Sequence, residues 1–75
     1  MSKLRLMKAG HGDLCLAEWE ALQRDTVARA ADIFTEHRQQ GYLAFRLEGP
    51  GQQTAIDRFD VEAAEILLVP PVRGG

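Results

Sequence analysis

Residues 65–75 read Glu-Ile-Leu-Leu-Val-Pro-Pro-Val-Arg-Gly-Gly, and this stretch decides how the rest of the sequence is interpreted. Residues 66–69 are apolar on both faces, which is the pattern of a central strand covered on one side by a helix. Pro70 and Pro71 cannot donate hydrogen bonds to a sheet ladder, so the strand should end there. The stretch therefore predicts a central strand followed by an extended tail.

The tail carries Arg73, Gly74 and Gly75. Glycine has no Cβ, so such residues can thread a narrow enzyme channel and present a carbonyl for activation by ATP. The alternative interpretation is a frayed terminus, which needs no function. Two glycines at a given pair of positions occur by chance in about one sequence in 200. The rest of the sequence is therefore needed to decide between a reactive tail and a frayed terminus.

Length and composition limit the classes of protein to consider. A chain of 75 residues forms one small domain that buries only about 60% of its unfolded surface, so a deep substrate cleft is hard to build. We therefore predict a protein that is not itself an enzyme. Its formal charge of -2 disfavours nucleic acid as a partner.

Targeting features and cysteine content indicate the compartment. The sequence has neither a secretory signal nor an apolar run long enough to span a membrane, so we expect no membrane association. Cys15 is the only cysteine, which excludes an internal disulfide and suits a reducing environment. The predicted location is cytoplasmic.

The first two elements are predicted to form a β-hairpin. Residues 3–8 alternate, with Leu4 and Leu6 on one face, and glycines at 10 and 12 supply a turn. Leu14 and Leu16 should then face Leu4 and Leu6 across the second strand. This register places Cys15, Ala17 and Trp19 on the opposite face.

A helix should follow the hairpin. Val27, Ala30, Ala31 and Phe34 have the spacing of an amphipathic helix, with Ile33 at the edge of the stripe. Asp25 or Thr26 can cap its N-terminus, His37 and Arg38 fall in its last turn, and Gly41 can stop it. Residues 17–24 also favour helix, so a start as early as Trp19 stays open.

The remaining elements complete a sheet. Residues 42–48 alternate as a third strand, with Leu43, Phe45 and Leu47 on one face. A turn at residues 49–51 leads to an edge strand over residues 53–59. Asp60 could cap a single helical turn at residues 61–64 before the central strand.

This order of elements resembles the β-grasp fold of ubiquitin-like proteins, and the ending Arg73-Gly74-Gly75 matches the ubiquitin type. The resemblance implies an α+β fold with a mixed sheet of four to five strands and one helix packed across it. Residues 1–69 would form the domain and residues 70–75 the extended tail. Bacterial ubiquitin-like modifiers are a plausible subfamily. The chain departs from ubiquitin in its Pro70-Pro71 pair, its short connection from Phe59 to Ile66 and its scarce lysines.

The same resemblance implies a protein modifier joined to target amines through Gly75. Gly74 would keep the tail narrow, and Arg73 would pair with an enzyme carboxylate. The chain itself would bind no cofactor, because the activating enzyme uses the ATP and Mg²⁺; a conjugating enzyme, a deconjugating protease and target proteins would be the other partners. Lys3 and Lys8 are the only lysines that could accept a second copy. A sulfur carrier with a thiocarboxylate at Gly75 is an alternative.

A second alternative is a non-covalent adaptor that binds through its sheet. The assigned register puts an apolar and aromatic set on the face away from the helix, although a slip of one residue would bury part of it. This set comprises Met7, Cys15, Ala17, Trp19, Tyr42, Ala44 and Arg46.

Other candidate residues have simpler explanations. The sequence His11-Gly12-Asp13 is typical of a turn. His37 is expected to be a helix-end residue and Cys15 a small apolar one, so no metal site is predicted. The acidic residues Asp57, Asp60, Glu62 and Glu65 are expected to form a solvated edge.

Overall fold

The computed structural model describes residues 1–8 and 12–71. Within these residues, five strands and one helix follow one another in the predicted order. Their bounds are β1 Ser2–Lys8, β2 Gly12–Trp19, α1 Arg24–Gln39, β3 Leu43–Gly49, β4 Gln52–Ile56 and β5 Glu65–Val69.

The strands form one mixed sheet in the order β2-β1-β5-β3-β4. The β5 strand lies in the centre, parallel to β1 and antiparallel to β3. Its residues Ile66 and Leu68 are fully buried on the core side, and Leu67 on the opposite face is 8% exposed between its strand neighbours Arg5 and Phe45. The helix packs against this sheet, so the predicted α+β, β-grasp-like fold is confirmed.

The predicted hairpin forms, but its register contains an irregularity. Leu6 pairs with Leu14, as expected, whereas Leu4 pairs with Ala17. Leu16 is therefore an extra residue on β2, and this β-bulge reverses the direction of every later side chain on the strand. Trp19 points to the helix side and is fully buried, so its predicted place on the outer face was wrong.

The helix begins later than the earliest predicted start. β2 continues to Trp19, and Gln23 is the N-cap residue although its side chain makes no capping hydrogen bond. Neither Asp25 nor Thr26 is the cap. The Thr26 hydroxyl instead donates to the Gln23 carbonyl oxygen at 2.7 Å and accepts the Glu20 N–H at 3.0 Å, which holds the turn before the helix.

The predicted stop at Gly41 is confirmed. Gly41 has φ +92°, and its N–H donates to the Arg38 carbonyl oxygen. The N–H of Tyr42 donates to the His37 carbonyl oxygen, which completes a Schellman motif. The C-terminus of the helix is thus capped by two backbone hydrogen bonds, which require the left-handed conformation of Gly41.

The fourth strand is shorter than predicted, because β4 ends at Ile56. It lies at the edge of the sheet, as expected. Beyond it, Phe59 turns into the core, and Asp60 accepts the Glu62 N–H at its Oδ1 atom, 2.9 Å away. The segment at residues 61–64 is a turn held by Asp60 and is not a helical turn.

An aromatic cluster lies between the helix, β2 and the segment that precedes β5. The Phe59 ring centroid lies 4.9 Å from that of Trp19 and 5.8 Å from that of Phe34. Offset and edge-to-face ring contacts at these distances are favourable. Leu4, Ala30, Ala44, Ala63, Ile66 and Leu68 complete the buried core.

Candidate functional site

The central strand leads directly to the predicted reactive tail. Val69 pairs with Leu43, and Pro70 and Pro71 follow as half-buried residues outside the ladder. The sheet therefore ends where the prolines predict. Arg73, Gly74 and Gly75 lie outside the described residues, so their role stays a prediction.

Pro71 lies close to the loop that joins α1 to β3. A Cβ atom built on Gly41 would lie 3.8 Å from the Pro71 Cβ atom, which is ordinary van der Waals distance. The Arg38 guanidinium donates from Nη1 to the Tyr42 carbonyl oxygen at 2.6 Å and holds the loop in place. Pro71 therefore lies close to the loop, with room for a methyl group at position 41.

An open cleft of about 580 Å³ lies beside Pro71. Four residues line it, Gln40, Tyr42, Pro70 and Pro71, and we refer to them as the tail corner. The Tyr42 ring packs edge-to-face on the His37 imidazole, whose Nδ1 lies 2.8 Å from the Ile33 carbonyl oxygen. His37 is therefore a helix-end residue, as predicted, and it positions one wall of the cleft.

The predicted docking set is mostly on the wrong face of the sheet. Ala44 is 2% exposed and pairs with the fully buried Leu68, so its side chain faces the core. Arg46 pairs with the buried Ile66, on the same side. Five residues of the predicted set therefore do not form an outer surface. They are Ala44 and Arg46 on β3, Tyr42 beside the helix end, and Ala17 and Trp19 on β2. Met7 and Cys15 are outward-facing and exposed, as predicted.

Apolar side chains from β3 and β5 occupy the outer face instead. Phe45 pairs with Leu67, and Leu43 pairs with Val69. These four residues are the outer patch; Leu67 is 8% exposed and Leu43 is 50% exposed. The alternation on β3 was predicted correctly, but its two faces were exchanged, because Leu43 and Phe45 face outward and Ala44 faces the core. The available signal was residues 66–69, whose unbroken apolar character requires apolar neighbours on both faces.

The opposite end of the outer face is charged. Arg5 lies next to Leu67 and forms ion pairs with Glu65 at 3.6 Å and Asp13 at 4.0 Å. Lys3 pairs with Glu65 across the parallel ladder and is exposed. The apolar part of this face is therefore at the end from which the tail leaves.

A separate ionic cluster ties β3 to the segment before β5. The Arg46 Nη1 atom donates to Asp60 Oδ2 at 2.8 Å, and its Nη2 contacts Glu48. The hydrogen bond from Arg46 holds the pKa of the Asp60 carboxyl below its ordinary value; partial desolvation opposes this shift, and the Glu62 N–H adds to it. The pKa of Arg46 is raised, chiefly by its bond to Asp60, so the pair stays ionised.

Among the described residues, the remaining candidates are not arranged for catalysis. Asp13 belongs to β2 and contacts Arg5, while His11 lies outside the described residues. Asp57 and Glu62 are exposed, as expected of a solvated edge, but Asp60 and Glu65 are half-buried in ion pairs. In residues 1–8 and 12–71, no group of three His, Cys, Asp or Glu is arranged to hold a metal ion.

Two further findings bear on partners. Lys3 and Lys8 are both exposed at β1, where an amine can be approached by another protein. Within the part of the chain that the structure describes, no helix is long and apolar enough to cross a membrane. Comparison with known protein families, curated proteins and solved structures gave no match.

Proposed function

We propose that the chain is a ubiquitin-like protein modifier, joined to target amines through Gly75 after ATP-dependent activation. The observation that carries the proposal is the position of β5. This strand lies in the centre of the sheet, parallel to β1, and leads through Pro70 and Pro71 towards Arg73-Gly74-Gly75. In a modifier of this kind, the carboxylate of the final glycine is the reacting group.

The chemistry follows from the poor electrophilicity of a carboxylate. The Gly75 carboxylate attacks the α-phosphate of ATP and releases pyrophosphate, which gives an acyl adenylate. A cysteine thiolate of the activating enzyme then displaces AMP to form a thioester. A target amine attacks the thioester carbonyl, loses a proton and releases the thiolate, leaving an amide. Mg²⁺ and ATP belong to the activating enzyme, and the chain supplies the carbonyl and the shape around it.

Removal of Gly75 tests this proposal directly. Deletion of Gly75, or the change Gly74→Phe, should abolish ATP-dependent attachment. The deletion removes the reacting residue, and the phenylalanine side chain blocks access to the Gly75 carbonyl. Thermal unfolding should stay almost unchanged, since both residues follow the last strand. The assay is a gel shift with the activating and conjugating enzymes of the source cell. Attachment that survives the deletion would contradict the proposal.

A sulfur carrier would use the same adenylated tail. In that case sulfide, and not an amine, would attack the activated carbonyl and leave a thiocarboxylate at Gly75. Intact-mass spectrometry of the chain after incubation with ATP and the activating enzyme distinguishes the two. A mass with one oxygen replaced by sulfur identifies the carrier, whereas an amide-linked adduct identifies the modifier.

The outer patch favours a second function, a non-covalent adaptor. Leu43, Phe45, Leu67 and Val69 form a contiguous apolar surface, and such surfaces mark protein interaction sites. In this proposal a partner covers the outer face and the glycine tail takes no part. The two functions are compatible, because the patch lies at the end of the sheet from which the tail leaves.

Chemical-shift mapping with a cell extract tests the adaptor. Perturbed signals should concentrate on the outer patch and should vanish with Leu43→Ser. The matched control is Leu22→Ser, because Leu22 is 97% exposed on the connection between β2 and α1. Signals that concentrate on α1, or equal loss with both variants, would rule out the patch.

A further inference from the structure

The two edges of the sheet differ in how well they are protected against pairing with another strand. Strands β2 and β4 form these edges among the described residues. On β2, the β-bulge at Leu16 and the charged side chains of Asp13 and Glu18 oppose such pairing. Strand β4, Gln52–Ile56, contains no charged residue and no proline. Residues 52–55 are exposed, so β4 is the edge that can accept a further strand.

We propose that this further strand is the β4 strand of a second copy of the chain, so that two copies form a two-fold symmetric dimer. Antiparallel pairing centred on Thr54 places Thr54 opposite Thr54 of the second copy, and Ile56 opposite Gln52 of the second copy. Threonine pairs in this arrangement are favourable, and no like charges face each other across the pair. The dimer goes beyond the proposed modifier function and needs no reaction at Gly75.

The alternation of β4 fixes which side chains meet on each face. Ile56 pairs with the buried Ala44, and Thr54 pairs with Arg46, so both point to the helix side of the sheet. Gln52 has the same direction, because it lies two residues before Thr54. Opposed residues of an antiparallel pair share a face, so Gln52 of the second copy comes beside Ile56 on the helix side.

A cleft next to Ile56 is complementary to this glutamine. It has a volume of about 430 Å³, and Arg38, Ile56 and Asp57 are among the residues that line it. The Arg38 Nε atom is buried and has no hydrogen-bond partner among the described residues. A glutamine amide offers an acceptor to Arg38 and a donor to the Asp57 carboxylate. An identical β4 strand therefore brings a side chain that suits both groups, which favours a second copy as the occupant.

The length of β4 determines how strong the dimer is. Two edges of five residues bury less than the roughly 1,200 Å² that stable protein complexes reach, so the dimer should be weak and populated at high concentration. The two-fold axis is perpendicular to the joined sheet, so both outer patches lie on the same face. A partner with two binding segments could then contact both patches and gain avidity.

Two matched threonine variants test the dimer. Thr54→Glu places like charges at the two-fold axis, while the neighbouring Arg46 tolerates a carboxylate in the monomer. Thr35→Glu adds the same charge to the exposed side of α1. Sedimentation equilibrium from about 10 µM to about 1 mM should show the parent dimer. Thr54→Glu should raise its Kd by about fivefold or more, and Thr35→Glu by less than about twofold.

Cysteine cross-linking tests the register. Thr54→Cys in a Cys15→Ser background brings two thiols onto opposed positions, whose Cα atoms lie about 4.5–5.5 Å apart in an antiparallel pair. This separation is within the range of about 4.4–6.8 Å that a disulfide spans. Mild oxidation should therefore give a covalent dimer. Thr35→Cys in the same background is the control and should stay monomeric.

Each outcome supports or overturns the proposal. A parent chain that stays monomeric at every concentration overturns it, as do equal rises in Kd with the two glutamate variants or equal cross-linking of the two cysteine variants. A dimer that persists with Thr54→Glu and is lost with Leu43→Ser places the contact on the outer patch and also overturns it. None of these measurements uses ATP or Gly75, so failure of the modifier function leaves the dimer untouched.

Discussion

The Trp19 indole donates from Nε1 to the Val61 carbonyl oxygen at 3.0 Å and thereby joins the end of β2 to the segment that precedes β5. The two residues are 42 positions apart in the sequence. Trp19 is fully buried and packs on Phe59, so this hydrogen bond lies inside the aromatic cluster. It holds the short connection to the central strand in place.

Trp19→Phe should lower the free energy of unfolding by about 2–4 kcal/mol, from the lost volume and the unpaired Val61 carbonyl. The change removes the only tryptophan of the sequence, so fluorescence cannot follow unfolding of the variant. Urea unfolding followed by circular dichroism measures the free energy instead. The exposed Leu22→Ala is the control and should change stability by less than about 0.5 kcal/mol. A similar loss from both changes would contradict the role of Trp19.

Asp60→Asn should lower stability at neutral pH and have little effect in acid. Because the pKa of Asp60 is lowered by folding, its ion pair stabilises the fold above the ordinary carboxyl pKa of about 3.9. That contribution is lost as the pH falls through the lower pKa of the folded state. Urea midpoints of the two proteins should therefore converge as the pH falls below the ordinary carboxyl range.

Asp57→Asn is the control for this pH dependence. Asp57 is exposed and lies three residues before Asp60. Its replacement should shift the urea midpoint little at any pH. A constant difference between the parent and Asp60→Asn from pH 3 to pH 7 would contradict the ionic explanation.

Gly41→Ala should cost about 1 kcal/mol, because φ +92° is strained for any residue with a Cβ atom. The loss should come from the backbone and not from a clash, since the added Cβ atom would meet Pro71 at 3.8 Å. Gly41→Asn should lose less, because asparagine tolerates left-handed conformations better than alanine. Thermal melts of both variants decide the point, and equal losses would count against backbone strain.

Lys3→Arg with Lys8→Arg should remove self-conjugation through side chains and leave conjugation to targets unchanged. Both amines are exposed at β1, and the chain has no other lysine. Peptide mapping of the products should then find self-linked chains only at the Met1 amine. Persistent side-chain linkage in the double variant would contradict this prediction, which rests on the modifier function.

Much of the fold could be predicted from local patterns. Alternation indicated β1 and β3, spacing of three and four residues indicated α1, and glycine indicated the stop at position 41. The bulge in β2 could not be predicted, because Leu14, Cys15, Leu16 and Ala17 are all apolar and give no mark of which residue faces out. The faces of β3 were misassigned for a related reason, since both of them carry apolar residues.

The sequence by itself determined the order of the elements, the central position of residues 66–69 and the end of pairing at Pro70, because these depend on local periodicity and on missing N–H groups. Only the tertiary structure decided which sides of β2 and β3 face the helix. That choice depends on volume: Trp19, Phe34 and Phe59 fill the space under the helix and leave room for the small Ala44, so Phe45 turns outward. The outer patch follows from that packing.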